Sequence, residues 1–281
     1  MFVDIIVPCY NKGFAIRQAL ESILNQKTDR IKNIIVSDDG STDNSVEVIR
    51  QVQAEHPGRI DLHAHPTNLG AIGCHNFLYA LAQCQSDYIA GLDGDDLYLD
   101  ENKIETMAKI LDEYPDYIGC VHDSTYISRD GVHFPNKIIK EHFAENIVHI
   151  NTTEIFIKFL NLALAMHPNF VMLRRMTWHN IFTIEFAEYY LKSCLPDSYR
   201  FQIFNMLGNG EKMVFINKNM ASITTSPTSF VTNFGELKIM VMELYMHLIF
   251  TEYYKSSPGM LGLLDKLINF NVKKIKIYSV S

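Results

Sequence analysis

The chain has 281 residues, 47% of them hydrophobic, with 32 acidic side chains against 25 Lys and Arg for a formal charge of -7. That length and apolar content suffice for a full core in one large domain or two closely packed ones. The acidic balance excludes a general nucleic-acid binder, whose phosphate contacts need a basic surface, and no run of about 18 uncharged apolar residues marks a membrane span.

Residues 1–7 lack a basic leader segment and carry Asp4 within an apolar run, so a first strand over 3–7 is expected and not a signal peptide. Ile16, Ala19, Leu20, Ile23 and Leu24 recur at helical spacing, residues 34–36 form a second strand, and Val46, Ile49 and Val52 repeat at helical spacing after the cap candidates Ser41, Thr42 and Asp43. A third strand near 60–64, a helix from about 70 to 84, a strand ending at Leu92 and a helix over about 101–113 complete the first part. Alternating strands and helices of this length predict right-handed crossovers and an α/β, Rossmann-like, mainly parallel sheet with helices on both faces. The five cysteines are odd in number and widely spaced, with no Cys-x-x-Cys pair. Neither a zinc site nor a disulfide framework is indicated, and a reducing, cytoplasmic compartment is expected.

Ligands of such sheets bind outside the carboxyl ends of the strands. Those ends carry Pro8-Cys9-Tyr10-Asn11-Lys12-Gly13, then Ser37-Asp38-Asp39-Gly40-Ser41-Thr42-Asp43, then Asn68-Leu69-Gly70, then Asp93-Gly94-Asp95-Asp96. Three carboxylates in four positions repel one another unless a cation sits among them, and Mg²⁺ or Mn²⁺ takes oxygen ligands of this kind. Each stretch also has a plainer reading. Asp and Gly dominate turns, Asp38 and Asp39 suit a helix cap, and Asn68 with Gly70 suits a turn. Lys12 has the look of a phosphate-binding lysine, yet the Gly-x-x-x-x-Gly-Lys-Ser/Thr pattern of a P-loop is missing.

Taken together and in this order, the four stretches, with Asn76, resemble the family 2 glycosyltransferases of GT-A fold; the match covers roughly residues 1–115. The resemblance implies a UDP-sugar donor, with Asp39 against the uracil ring and Tyr10 packed near the base. It implies Asp95 as ligand of Mn²⁺ or Mg²⁺, with Asp93 toward the ribose or a metal-bound water. Pro8, Asn68, Gly94 and Asp96 join the substrate-binding set, Gly94 by letting the backbone approach the nucleotide and Asp96 by orienting the site or the acceptor or by binding the metal.

Beyond Tyr117 the pattern loosens. Residues 118–126 have strand character, Arg129-Asp130-Gly131 suits a hairpin turn, and Asn151-Thr152-Thr153-Glu154 suits a capping box opening a helix to about Leu164. Residues 169–175 resemble the strand that closes the acceptor side in the family, where a later Glu-Asp pair supplies a general base. Here Pro196-Asp197 occupies that place, so Asp197 is the implied base although proline followed by Asp also suits a helix start. His167 and Trp178 are further acceptor-side candidates, each equally readable as a structural residue. The apolar stretch 237–254 suits a buried or dimer-forming helix, which allows a homo-oligomer. Residues 261–281 mix apolar and lysine side chains, which suits either peripheral contact with anionic lipid or a packed helix with a solvated lysine edge.

The expected organisation is a nucleotide-sugar-binding part over 1–116, an acceptor-binding part of the same GT-A domain over 117–225 and a C-terminal helical extension over 226–281. The expected activity is metal-dependent, inverting transfer from a UDP-sugar to a saccharide or lipid-linked acceptor in surface polysaccharide assembly. The alternative is a catalytically silent sugar-nucleotide-binding or scaffold protein, motivated by Pro196 in place of Glu.

Overall fold

The computed structural model describes residues 1–70, 74–128, 132–135, 146–151, 168–177 and 211–225, with residues 265, 269 and 272. The first strand, β1 (Val3–Cys9), is buried along nearly its whole length, as its unbroken apolar run requires of a strand covered on both faces. Its one charge is fully used. Asp4 accepts hydrogen bonds from the Gln85 N–H (2.7 Å), the Ser86 N–H and hydroxyl (both 2.8 Å) and the Asn33 side-chain amide (3.0 Å), so the strand carries a carboxylate through the core without an unpaired oxygen.

Helix α1 (Ile16–Leu24) buries Ile16, Ala19, Leu20 and Ile23, the stripe its periodicity predicted. Then follow β2 (Ile31–Asp38), α2 (Ser45–Glu55), β3 (Ile60–Ala64), α3 (Cys74–Gln83), β4 (Tyr88–Gly91), β5 (Leu97–Tyr98) and α4 (Lys103–Glu113). The helix expected from residue 70 is found from Cys74, with 71–73 outside the described residues. The second part supplies β6 (Gly119–Ser128), β7 (His133–Pro135), β8 (Ile147–Asn151), a single 3-10 turn at Pro168–Phe170, β9 (Val171–Arg174) and β10 (Lys212–Thr225).

All ten described strands join one sheet, in the order β3-β2-β1-β4-β9-β6-β10-β5, with β7 paired to β6 and β8 to β10. β1 lies parallel to β2 and β4, and β2 parallel to β3. β9 runs antiparallel between β4 and β6, while β10 is parallel to β6. The chain thus winds outward from β1 to β3 and then returns to the other side of β1 as β4. Right-handed crossovers place α1 and α2 on one face and α3 on the other, and the reversal creates a crevice between the ends of β1 and β4.

Two features depart from the expected pattern, at Asn151 and over 169–175, and the hairpin between them agrees with it. Asn151, read as the start of a helix, ends β8 and pairs with Lys212 of β10; residues 152–164 lie outside the described set. The hairpin expected around 129–131 is framed by the antiparallel pair β6 and β7, and the Ser128 N–H bonds the Val132 carbonyl at 2.9 Å, although 129–131 themselves are not described. The strand expected over 169–175 divides into the 3-10 turn and β9. At its end the Arg174 guanidinium donates to the carbonyls of Leu111 (2.6 Å), Tyr114 (3.1 Å) and Tyr117 (2.6 Å), satisfying the open C-terminus of α4.

Candidate functional site

The crevice between β1 and β4 is built from the four loops singled out in the sequence. The loop after β1 is pinned through its backbone by side chains of the loop after β2. Ser41 Oγ accepts the Asn11 N–H (2.8 Å), Ser45 Oγ accepts the Lys12 N–H (2.8 Å) and an Asp43 carboxylate oxygen accepts the Gly13 N–H (3.0 Å). Asn11 takes a left-handed backbone (φ 52°) and its side-chain oxygen accepts the Thr42 N–H at 2.8 Å, a conformation asparagine tolerates better than most residues. The Ser-Thr-Asp cluster, expected to cap α2, is therefore largely a clamp on the neighbouring loop. Only Asp43 also serves the helix, accepting the Ser45 N–H at 2.9 Å; although burial works the other way, these hydrogen bonds hold its carboxyl below the ordinary range.

The clamp fixes where Lys12 points. Its ammonium forms an ion pair with Asp95, in a partly buried position where the two side chains keep 31% and 13% of their exposure. The Gly94 N–H bonds the Pro8 carbonyl at 3.1 Å and the Asp96 N–H bonds the Asp93 carbonyl at 3.0 Å, so the loop after β4 folds back on the end of β1. A Cβ at Gly94 would stand 3.1 Å from Ile16 Cδ1 and 3.2 Å from the Pro8 carbonyl. Glycine suits that close internal approach, a reason independent of any nucleotide.

Asp96 is turned inward. It is 2% exposed, one carboxylate oxygen accepts the Thr224 N–H at 2.6 Å, and the other accepts the side-chain amide of Asn169. Burial, reinforced by the charges of Asp93 and Asp95, holds its carboxyl well above the ordinary range. Asp96 thus anchors the loop to β10 from below and does not face the crevice as a substrate-binding residue would. Asn169, fully buried, also accepts the Asp93 N–H on its side-chain oxygen at 2.8 Å. Its own carbonyl accepts from the Lys103 ammonium, which is buried with it and lies 3.6 Å from the centroid of the Tyr98 ring. Burial pushes the Lys103 pKa well below that of an exposed lysine.

On the other side of β1, Asp39 is buried; burial raises its carboxyl, and one oxygen accepts the Leu69 N–H at 2.7 Å. Its partner Asp38 closes the turn on Ser41, accepting the N–H at 2.9 Å and the hydroxyl at 2.5 Å. Neither caps α2. Gly40 (φ 73°) packs so closely on the loop after β3 that a Cβ would lie 2.6 Å from the Asn68 backbone nitrogen. The Asn68 side chain is exposed and closes its own turn, accepting the Gly70 N–H at 2.8 Å, as the plainer reading of that stretch holds. Asn76 ties α3 to the same end of the sheet, donating to the Ser37 carbonyl at 2.7 Å. Tyr10, 45% exposed, stands at the rim.

The structure thus brings Pro8, Tyr10, Asp39, Asn68, Asp93, Gly94 and Asp95 to one edge of the sheet. Asp197, His167 and Trp178 lie outside the described residues. Sequence reasoning set Lys12 aside with the P-loop and did not single out Asn169 or Lys103. The Lys12 signal was its place after a strand; the other two act through contacts more than 60 positions away and left none. Among the described residues no group of three or more His, Cys, Asp and Glu converges on a metal position. Asp93 and Asp95 nonetheless fit a hard divalent cation whose remaining ligands are diphosphate oxygens and water, and the ammonium on Asp95 shows that this carboxylate accepts a cation.

The family model described as glycosyl transferase family 2 matches residues 4–180. An uncharacterized protein of Mycobacterium tuberculosis is 31% identical over 129 residues, 46% of this chain and 37% of its own length. An uncharacterized glycosyltransferase of Haemophilus influenzae is 38% identical over 109 residues, 39% of this chain and 42% of its own. The chain thus spans well under half the length of these relatives. Among solved structures, Staphylococcus aureus TarS 1-349 in complex with UDP-GlcNAc superposes with a TM-score of 0.68 at 14% identity, over 97% of this chain and 72% of that one. The mannosyltransferase PcManGT of Pyrobaculum calidifontis in complex with GDP-Man and Mn²⁺ gives 0.59 at 14% identity, over 99% and 75%.

Proposed function

The chain belongs to glycosyl transferase family 2, with the GT-A fold it shares with TarS, and from that premise we propose that it is a metal-dependent, inverting glycosyltransferase moving a sugar from a UDP-sugar to a saccharide or lipid-linked acceptor. The observation that carries the proposal is the ion pair between Lys12 and Asp95, with Asp93 two positions away on the same loop, at the crevice between β1 and β4. There one strand end supplies paired carboxylates and the next supplies an ammonium. A nucleoside diphosphate needs both: a site for its cation and positive charge to meet its own.

In this reading Asp95 and Asp93 hold Mn²⁺ or Mg²⁺, which when bound offsets the charge that builds on the leaving diphosphate. Asp39 and Tyr10 bind the base, Asp39 as acceptor for a ring N–H, which favours uracil. Asn169 and Asp96 act behind the site, fixing the backbone on which Asp93 and Asp95 stand. Asp197 takes the proton of the acceptor hydroxyl as that oxygen attacks the anomeric carbon. The new C–O bond forms on the face opposite the departing UDP, whose oxygen leaves with the bonding electron pair, and the configuration inverts. A positioned base of this kind contributes about 10²- to 10⁴-fold in rate. Cys9, Cys84 and Cys120 are free and buried, which suits a cytoplasmic reaction.

Donor turnover measured with Mn²⁺ or Mg²⁺, and again after chelation, tests the metal requirement; equal rates refute it. The D197N variant is expected to lose transfer while still binding UDP, and full activity in that variant refutes the base assignment. UDP binding by the native chain without turnover across a broad panel of sugars and acceptors would establish the silent binding protein instead.

A further inference from the structure

The ion pair between Lys12 and Asp95 occupies the same carboxylate that the proposed reaction assigns to a divalent cation. An ammonium and a metal ion carry the same sign of charge, so an ammonium held on Asp95 Oδ2 takes one of the carboxylate's acceptor sites and repels a cation brought to the others. A cation therefore binds there more tightly once the ammonium has moved away. The backbone of Lys12 is not the part that moves. Its N–H is bound to Ser45 Oγ at 2.8 Å and its carbonyl accepts both the Ala15 and Ile16 N–H groups at 2.8 Å, at the entry to α1. The side chain is different, a four-carbon stem with rotatable donors that remains 31% exposed.

The geometry points to Lys12 as a built-in competitor for the divalent cation: it holds Asp95 in the free protein, and the diphosphate of the donor draws its ammonium away and so opens Asp95 to metal. The inference rests on Asp95 being a metal ligand, as proposed above. Its consequence is a coupling. Nucleotide strengthens metal binding by removing the competitor, and by linkage metal strengthens nucleotide binding by the same factor. A free protein of this design binds the cation weakly until donor arrives, which suits a site that must not fill with metal in an orientation no diphosphate can complete.

The test is Mn²⁺ binding to the full chain, read as loss of the free-ion electron paramagnetic resonance signal, with and without saturating UDP. The proteins are the native chain, K12Q, K12M and D95N. The proposal expects K12Q and K12M to bind Mn²⁺ about tenfold more tightly than the native chain without UDP, the tenfold step being about 1.4 kcal/mol. It also expects UDP to improve their Mn²⁺ affinity by a correspondingly smaller factor than in the native chain. Equal or weaker Mn²⁺ binding by both Lys12 variants in the absence of UDP, with D95N losing it, overturns the competitor while leaving Asp95 as ligand. Undiminished Mn²⁺ binding by D95N overturns the ligand assignment and the competitor with it. Far-UV circular dichroism of each variant confirms that the comparison is between folded proteins.

Discussion

Exchanging the two buried side chains beneath the carboxylate loop gives a test with a computable sign. Asn169 faces Asp96 with its amide nitrogen and the Asp93 N–H with its amide oxygen, so neither group can turn over without losing a bond. N169D replaces the nitrogen by an oxygen and sets two carboxylates against each other in a buried position. It forfeits a charge-assisted hydrogen bond of about 1.5–3 kcal/mol and adds repulsion that one proton must relieve, for a total of roughly 3–5 kcal/mol. D96N keeps the oxygen that accepts the Thr224 N–H at 2.6 Å but turns an amide nitrogen toward the amide of Asn169, donor against donor, at about 2–3 kcal/mol. In N169D/D96N the nitrogen at position 96 donates to the carboxylate at position 169, and the bond re-forms with its polarity reversed. The double variant is therefore expected to be more stable than N169D alone, with a coupling of at least about 2 kcal/mol. Urea unfolding followed by circular dichroism measures all four corners of the cycle. Additivity within about 0.5 kcal/mol would show that the two side chains do not support each other and would remove the reason for calling them anchors.

G40A and G58A separate conformation from contact. Both glycines have left-handed backbones (φ 73° and 76°), but a Cβ at Gly58 meets nothing within 4 Å while one at Gly40 lies 2.6 Å from backbone atoms of Thr67 and Asn68. G58A should cost about 1 kcal/mol and G40A more than about 3 kcal/mol in chemical unfolding; equal costs would refute the loop contact. D4A orphans the Gln85 and Ser86 N–H groups at the core, and a loss of about 3–5 kcal/mol is expected from the same measurement, with a loss under about 1 kcal/mol contradicting the account. His122 is buried, and burial together with the nearby Lys103 charge holds its pKa well below the ordinary 6.5. Below pH 6.5 the unfolded chain takes up a proton that the folded imidazole refuses, so stability falls as pH falls, by up to about 1.4 kcal/mol per unit. H122F should flatten the slope between pH 6.5 and 5.5; an unchanged slope would mean that the imidazole protonates in place.

The part of the fold that was legible before the structure is the part made of local signals. β1, β2 and β4 are buried on both faces, so they stand out as apolar runs, and the loops at their carboxyl ends carry the Asp, Ser and Gly that turns and ligands both need. Beyond β6 the chain is assembled by pairings that sequence pattern does not encode. β9 is four residues long and enters antiparallel between two strands more than forty positions earlier. β8 was missed because Asn151-Thr152-Thr153-Glu154 satisfies the local rule for a helix start while its first residue is held by β10. Lys12 was legible but was set aside by a motif test; what identifies it is the carboxylate 83 positions later that its ammonium meets.

The three neighbouring aspartates pose one electrostatic problem and receive unlike solutions. Asp96 is turned inside and held by Thr224 and Asn169, partners fixed by a strand and a 3-10 turn. Asp93 is held at its backbone, through the Asn169 side chain. Asp95 is met by a long side chain on a neighbouring loop, at a part-exposed site. The first two arrangements cannot change without disturbing the core, whereas the third can exchange its counter-charge by rotating a lysine stem. A loop built with three equivalent carboxylates would have to bring in a cation merely to fold. Burying one, bracing the second at its backbone and setting a removable counter-charge on the third suits the proposed role of Asp95 as the carboxylate that takes the cation.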